Sequence, residues 1–453
     1  MDFPKHVFKA YDIRGLVEGE LSNDLAYRIG RAFVCVLRKR GCNLRGRKLV
    51  VGRDMRPSSL GFQKEIIRAI NDEGVGVADV GLVSTPLFNF ACAHYEEYAG
   101  GIMVTASHNP AQYNGFKMTF GDGLPLGRDT GMPELRDLAE ANDFLDSDTK
   151  GSVAVFDPYP DYETKIFFLV KPTEIQALKI VVDAGNGMAK VSVPKILAKL
   201  PLETEFLFLE PDGTFPNHEA NPLKENTLAT LQKKVLETKA DLGFALDGDA
   251  DRVGFIDEQG QIVPPSLVGA ILGLEVLKLH PHSYMLYSLI TSRVAKAVWE
   301  EAGATTGMTS VGHALVKKQM KEEKAEFAAE LSLHMFYHDM YDLEVPELSL
   351  LYMLKAMKDK KLNQVWQALA GRFYHSGEHN FKVANAQEIL QKIKVKYADA
   401  KLSEADGLLV TYPDWWFSVR LSNTEPLLRL NLEANSKELM ESKFSEVKNI
   451  IIS

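Results

Sequence analysis

The chain has 453 residues, 45 per cent of them hydrophobic and 25 per cent charged, and 52 Lys and Arg against 61 Asp and Glu give a formal charge of −9. That length exceeds a single core and implies about three or four domains; the composition excludes a disordered chain. The acidic balance excludes nonspecific nucleic-acid binding, which needs a basic footprint.

At the N-terminus, Met1 to His6 lacks the apolar core of a signal peptide. Ser22 to Gly41 carries Leu25, Ile29, Ala32, Phe33, Val36 and Leu37 at helical spacing, with Arg38-Lys39-Arg40 at the negative end of the dipole and Gly41 as the stop. A strand follows at Lys48 to Val51, then the polar loop Gly52 to Pro57, then a helical pattern through Ile66, Ile67 and Ile70 to Gly74. This α/β order recurs at Lys179 to Gly187 and, more faintly, at Ser283 to Ser288. The apolar run Leu267 to Leu277 is interrupted by Glu275 and too short to span a bilayer. After about residue 368 the pattern changes to strands at His379 to Val383, Trp415 to Val419 and Leu427 to Leu432 around a helical Ala386 to Lys394, an α+β module. Cys35, Cys42 and Cys92 have neither disulfide-framework nor zinc-site spacing, which fits a reducing cytoplasm. No membrane segment and no nucleic-acid partner are expected.

Two loops carry chemistry. Thr105-Ala106-Ser107-His108-Asn109-Pro110 follows the strand-like run Gly101 to Val104 and presents a hydroxyl on a tight polar loop. Asn114-Gly115 reads as a tight turn that returns Phe116-Lys117 toward it, so Lys117 is a candidate acid/base or phosphate partner. The second loop, Asp247-Gly248-Asp249-Ala250-Asp251-Arg252, begins where the apolar strand Leu242 to Leu246 ends, the edge at which open α/β sheets bind ligands. Its three carboxylates can meet one ion if the backbone curls, which Gly248 and Ala250 permit, and an oxygen-only set without His or Cys suits Mg2+. A calcium loop of the EF-hand type would place Glu258 at its twelfth position, but Arg252 occupies the position that requires glycine, and the flanks are strand-like where helices are needed. Arg252 instead reads as a phosphate ligand beside the metal. Near the C-terminus, Arg420, Ser422, Asn423, Thr424 and Arg429 gather guanidinium, hydroxyl and amide donors around a turn, as a phosphate dianion requires. Hydroxyl, metal and basic groups make a starting set for phosphoryl transfer.

Together these motifs, with Ala10-Tyr11-Asp12-Ile13-Arg14-Gly15, Gly52-Arg53-Asp54, Val182 to Gly187, Asp212-Gly213-Thr214-Phe215-Pro216 and Gly312-His313, resemble the α-D-phosphohexomutase family over essentially the full length, most closely its bacterial phosphomannomutase/phosphoglucomutase branch. The resemblance implies an α/β fold of three related mixed-sheet domains and a smaller C-terminal α+β domain around a central cleft, with boundaries expected at residues 1–153, 154–256, 257–367 and 368–453. It implies that Ser107 carries the phosphoryl group and binds Mg2+ with Asp247, Asp249 and Asp251. Arg14 and Lys117, with His108 nearby, assist proton transfer, and Tyr11, Arg252 and His313 join the substrate contacts. Arg420, Ser422, Asn423, Thr424 and Arg429 grip the phosphate that is not reacting. The expected reaction interconverts hexose 1- and 6-phosphates of mannose and glucose through a hexose 1,6-bisphosphate, with glucose 1,6-bisphosphate or mannose 1,6-bisphosphate as activator, in a monomer or weak homodimer. Asn423 tilts the reading away from phosphoglucosamine mutase.

One region departs from the family. Where a Gly-Gly-Glu-x-Ser-Gly-His loop is usual, this chain has Ala328-Ala329-Glu330-Leu331-Ser332-Leu333-His334. The sugar readers Glu330, Ser332 and His334 survive, but a left-handed backbone at a former glycine costs about 1–2 kcal/mol, so the loop is expected to take another path. Ser310 and Ile290 stand where relatives offer basic residues. A catalytically weak sugar-phosphate binder is the alternative these losses leave open; a simple phosphatase is another, since a metal and a phosphoserine can leak to water.

Overall fold

The computed structural model describes residues 3–383, 385–404, 406–421 and 427–452. Its strands form four sheets in succession along the chain. The first contains β1 (Ile13–Leu16), β2 (Lys48–Arg53), β3 (Gly76–Leu82), β4 (Tyr98–Val104), β5 (Tyr113–Phe120) and β6 (Val153–Val155), in the order β1-β5-β4-β2-β3-β6. Its centre is parallel, while β5 runs antiparallel to both β1 and β4. Every residue of β4 is buried, the continuous apolar pattern of a strand covered on both faces.

The second sheet, β7 (Leu178–Asp183), β8 (Leu202–Leu207), β9 (Leu242–Leu246) and β10 (Val253–Asp257), is parallel except for β10. The third holds β11 (Tyr284–Ser288), β12 (Thr305–Thr309), β13 (Phe327–Ala329), β14 (Met335–Tyr337) and β15 (Leu343–Glu344), with a parallel half followed by two antiparallel additions. The fourth, β16 (Tyr374–Lys382), β17 (Lys401–Ser403), β18 (Leu408–Thr411), β19 (Trp415–Leu421) and β20 (Leu427–Ala434), is antiparallel throughout. Three mixed α/β sheets and a terminal α+β module are the expected fold class.

Local signals explain the elements. Helix Asn23–Lys39 starts at Ser22, whose hydroxyl accepts the Leu25 N–H, and buries Leu25, Ile29, Phe33, Val36 and Leu37 along one face. The run Leu267 to Leu277 lies inside helix Pro265–Leu279 and is buried among other elements; among the described residues no helix is long and apolar enough to cross a membrane. The reading of Asn114-Gly115 as a turn is corrected: both lie within β5, and the reversal occurs earlier, at residues 107–112. Glycine is needed at 115 for a different reason, because a Cβ there would stand 2.1 Å from the Ile13 carbonyl oxygen across the ladder.

One apolar cluster runs through the first three sheets, from Val50 and Phe88 through Ile180 and Phe244 to Trp299 and Leu351. The fourth module has its own core of Phe417, Val419, Leu430, Leu432 and Val447. It meets the third through polar contacts: Glu433, which also accepts the Trp416 indole N–H of its own module at 2.9 Å, accepts the Arg293 N–H at 2.8 Å, and His375 Nε2 lies 3.2 Å from the Ile290 carbonyl.

Candidate active site

Ser107 follows β4 on a loop held from behind by Arg56. The guanidinium of Arg56, buried with Asp54 as its ion partner, donates to the carbonyls of Ser107, Asn109, Pro110 and Tyr113 at 2.6–3.0 Å. Buried carbonyls need such partners, and here one planar fork serves four of them. The loop is also strained: Ser107 has φ +51°, a left-handed conformation of the kind that concentrates at functional sites.

The Ser107 hydroxyl is 2 per cent exposed at the residue level, donates to Asp247 Oδ2 at 2.9 Å and lies 3.1 Å from His108 Nδ1. Burial, with Arg252 and Arg14 nearby, holds the His108 pKa well below the ordinary imidazole value, so this ring is neutral. Arg14 reaches the same loop, donating to Asn109 Oδ1 at 2.6 Å and to Asp12.

Asp247, Asp249 and Asp251 are all buried, with one carboxylate oxygen from each inside a 4.8 Å cluster. Ala250, at φ +59°, supplies the curl that brings alternate side chains together. Burial and the neighbouring Asp251 and Asp249 push the Asp247 pKa up, whereas Lys117 and His334 outweigh burial at Asp251 and hold it low. Lys117 Nζ lies 2.7 Å from Asp249 and 2.8 Å from Asp251; burial alone would lower its pKa, but the two carboxylates more than reverse this. Asp249 Oδ1 is buried without a hydrogen-bond partner among the described residues. A dense, under-satisfied set of hard oxygen donors fits a Mg2+ ion. Glu258 accepts the Asn363 N–H at 3.1 Å instead of joining this cluster, so the calcium-loop arrangement is absent.

His334 Nε2 approaches Asp251 at 3.4 Å and its Nδ1 lies 2.9 Å from Ser332 Oγ. Burial and Arg252 lower its pKa, but Asp251 and Glu330 raise it to about 9. Glu330 accepts the Gly312 N–H at 2.9 Å. These three sugar-loop residues therefore face Gly312 and the aspartate loop. Ala328 and Ala329 are extended within β13, while Leu333 has a left-handed φ of +67°: of the three positions where the family pattern has glycine, Leu333 alone has the backbone that favours it.

Tyr11, Arg14, His108, Arg252, His313, Arg420 and Arg429 line one cleft of about 1090 Å³, together with Lys9, Arg128 and Arg136. Among the described residues its acidic lining is limited to Asp12 and Glu20, so a basic cavity is carved into an acidic protein. Tyr11 packs edge-on to His313 with centroids 5.7 Å apart, and burial keeps the His313 ring neutral. Arg252 Nε is 3.8 Å from Asp247, linking cleft and aspartate loop. Ser422, Asn423 and Thr424 lie outside the described residues.

Three contributors escaped sequence reasoning. Arg56 stands in a quoted loop, but nothing local reveals its four carbonyl partners. Thr85, first residue of helix Thr85–His94, donates from Oγ1 to Asp249 Oδ2 at 2.6 Å, and its N–H reaches the Asp249 carbonyl at 3.0 Å. Glu378 on β16 bridges Arg420 and Arg429 at 3.2 and 3.1 Å.

The chain matches the phosphoglucomutase/phosphomannomutase family in four successive blocks: alpha/beta/alpha domain I over residues 5–146, domain II over 157–260, domain III over 265–373 and the C-terminal domain over 378–450. It is 36 per cent identical to a phosphomannomutase of Methanocaldococcus jannaschii, covering 98 per cent of this chain and 97 per cent of that one. It is 34 per cent identical to a phosphomannomutase of Escherichia coli strain K12, covering 96 per cent of each. The crystal structure of a phosphoglucomutase/phosphomannomutase family protein from Burkholderia thailandensis superposes with a TM-score of 0.88 at 31 per cent identity, over 98 per cent of this chain and 97 per cent of that one. With its four sheets, aspartate cluster and buried serine in the same order as the four matched blocks, the chain belongs to the phosphoglucomutase/phosphomannomutase family.

Proposed function

We propose that the protein is a phosphohexomutase that interconverts mannose 1- and 6-phosphate, and the glucose pair, with Ser107 as the carrier of the phosphoryl group. The observation that supports this most is the hydroxyl of Ser107, 2.9 Å from Asp247 at the head of a three-carboxylate cluster and adjoining a basic cleft large enough for a hexose bisphosphate.

Asp247, Asp249 and Asp251, with the oxygen of Ser107, would hold Mg2+, which when bound neutralises charge on the phosphoryl oxygens. In the first half of the cycle the bond from Ser107 Oγ to phosphorus breaks as the free hydroxyl oxygen of a hexose monophosphate bonds to phosphorus, giving a hexose 1,6-bisphosphate. The proton of that hydroxyl passes through neutral His108 to the departing Ser107 Oγ, which lies 3.1 Å from His108 Nδ1. After the bisphosphate turns, Ser107 loses its proton to neutral His108 as a new Oγ–phosphorus bond forms. The second sugar oxygen leaves from phosphorus and takes that proton from His108. Arg14, Lys117 and Arg252 offset the negative charge of the transferring group; Arg420 and Arg429 grip the phosphate at the far end. Glucose 1,6-bisphosphate or mannose 1,6-bisphosphate serves as activator by phosphorylating Ser107.

The test is turnover of mannose, glucose and glucosamine 1-phosphates with Mg2+ and glucose 1,6-bisphosphate, in the wild type and in Ser107→Ala. The variant is expected to lose the covalent phosphoryl group by intact mass and nearly all isomerisation. Wild-type turnover in Ser107→Ala overturns the assignment.

A further inference from the structure

The cleft has a basic wall that neither the transferring centre nor the far phosphate grip uses. Arg14 and Arg252 line it beside the Ser107 loop and Arg420 and Arg429 from the fourth module, while Lys9 and Arg128 line it from the first. A further cation of that wall, Arg136, is paired with Asp137 at 2.8 Å. Lys9 and Arg128 form no ion pair among the described residues. The two acids that line the cavity among those residues are already engaged, Asp12 with Arg14, and Glu20 with His6 at 2.8 Å and with the Leu16 N–H at 2.7 Å.

The Arg128 side chain is exposed, but the turn that carries it is fixed. The Thr130 hydroxyl accepts the Gly127 N–H at 2.6 Å and donates to the Pro125 carbonyl at 3.0 Å. Arg128 donates its own N–H to the Ala10 carbonyl at 2.6 Å, and the Lys9 N–H bonds to the Asp12 carbonyl at 2.9 Å. Gly127 allows this close approach of the two segments: a Cβ there would stand 3.1 Å from the Ala10 carbonyl oxygen and 3.3 Å from the Tyr11 ring. Burial and Asp406 raise the Tyr11 pKa and Arg128 partly offsets them, which places the guanidinium beside that hydroxyl. Two long cations are thus rooted on adjoining, hydrogen-bonded backbone at the wall of a cavity whose field draws anions.

We propose that Lys9 and Arg128 form a transit site for a phosphate of the hexose bisphosphate, occupied while that intermediate turns between the two half-reactions. The inference rests on the mutase reading. Turning exchanges the two phosphates between the Ser107 loop and the far grip, so each phosphate leaves one set of cations before it reaches the other. In that interval departure to bulk water competes with completion of the turn. Cations in the same cavity, outside both end positions, attract the loosened dianion and keep the intermediate inside.

The full-length protein, phosphorylated at Ser107 by glucose 1,6-bisphosphate and then desalted, is mixed with Mg2+ and mannose 1-phosphate; hexose 1,6-bisphosphate free in solution is separated by filtration and quantified by mass spectrometry. Arg128→Gln is expected to release about tenfold more bisphosphate per turnover than wild type, and Lys9→Gln about threefold more. Each release strands Ser107 without its phosphoryl group, so the activator concentration for half-maximal rate rises about tenfold in Arg128→Gln, while KM for mannose 1-phosphate stays within about twofold. Arg128→Lys, which keeps the charge, is expected to release bisphosphate within about twofold of wild type, and a tenfold rise there overturns the proposal. A raised KM with unchanged release assigns Arg128 to ground-state binding, and a salt-sensitive fall in kcat/KM with unchanged release assigns it to steering; either result overturns the proposal. Should Arg128→Gln not fold, unchanged release in Lys9→Gln overturns it. The mutase reading fails separately: a wild-type protein that isomerises no hexose phosphate removes that reading, whereas an active wild type whose glutamine variants release no extra bisphosphate removes this inference alone.

Discussion

Replacing Leu333 by glycine and by alanine separates two opposing effects at one residue. Leu333 turns the hairpin between β13 and β14 at φ +67°, with its N–H on the Glu330 carbonyl at 3.2 Å and its carbonyl accepting the Val253 N–H at 3.4 Å. The left-handed backbone costs a non-glycine residue about 1–2 kcal/mol. The side chain is only 2 per cent exposed, and burying a leucine returns about 1.5–3 kcal/mol, so the protein tolerates the strain because the packing offsets it. Alanine keeps the strain and loses the packing, an expected destabilisation of about 2–5 kcal/mol. Glycine loses the packing as well but releases the strain, less about 0.5–1 kcal/mol of unfolded-chain entropy. The glycine variant should therefore be more stable than the alanine variant by about 0.5–1 kcal/mol, the reverse of the order at an ordinary buried position. Urea unfolding followed by the fluorescence of Trp299 and Trp366, both buried in the cluster that includes the third sheet, reads the ranking of wild type above glycine above alanine. Alanine equal to or above glycine refutes the account of how packing sustains the left-handed backbone at Leu333.

Thr85→Val removes the hydroxyl that orients Asp249 while preserving side-chain shape, and Mg2+ affinity measured by calorimetry should fall about 10–100-fold. Thr85→Ser should restore it, and a valine variant within twofold of wild type contradicts the role. His218 sits 3.0 Å from Asp183; burial lowers its pKa, but the Asp183 hydrogen bond and charge outweigh that and raise it. A raised folded-state pKa contributes stability in full below the ordinary imidazole value and loses it as pH rises through the raised one. The melting-temperature gap between wild type and His218→Asn should therefore be widest near about pH 6 and narrow toward about pH 9, and a gap that widens with pH refutes the pairing.

What could be read from the sequence was what is local. Ser107 and the three aspartates each follow an apolar strand directly, so position along the chain already fixed their place at a strand end. The Asn114-Gly115 turn failed because glycine has two physical uses, a turn and a close backbone approach, and residue types alone do not separate them. Here the deciding atom is the Ile13 carbonyl oxygen. Thr85 and Asp249 are 164 residues apart, and Arg56 meets carbonyls 51 to 57 residues downstream, so no spacing rule could have paired them. Glu378 was hidden by a bulge in β16: pairing runs from Tyr374 with Ala434 and His375 with Glu433 but resumes at Glu378 with Asn431, so alternation counted from Tyr374 sets it on the core face, and only the extra residue turns it toward Arg420 and Arg429.

The three α/β modules place their chemistry at one topological position. In each, a central parallel strand leads through a short loop into an antiparallel neighbour: β4 through Ser107 into β5, β9 through the aspartates into β10, and β13 through Glu330 to His334 into β14. Each loop leaves the carboxyl end of its parallel strand, where α/β sheets present ligand sites, and each contains one non-glycine residue in the left-handed region, Ser107, Ala250 and Leu333. The left-handed step folds each hairpin tip sharply, and the tips meet: Ser107 bonds to Asp247, and His334 contacts Asp251. A repeated fold thus supplies hydroxyl, carboxylates and sugar-loop imidazole from equivalent corners, and the common core beneath the three sheets fixes their separation. The fourth module, which carries the paired arginines on a core of its own, is joined by polar contacts that include Glu433 at the start of helix Arg293–Glu301. In the proposed cycle, that division assigns rigidity to the transferring centre and leaves adjustment to the module that would release and regrip the substrate's second phosphate.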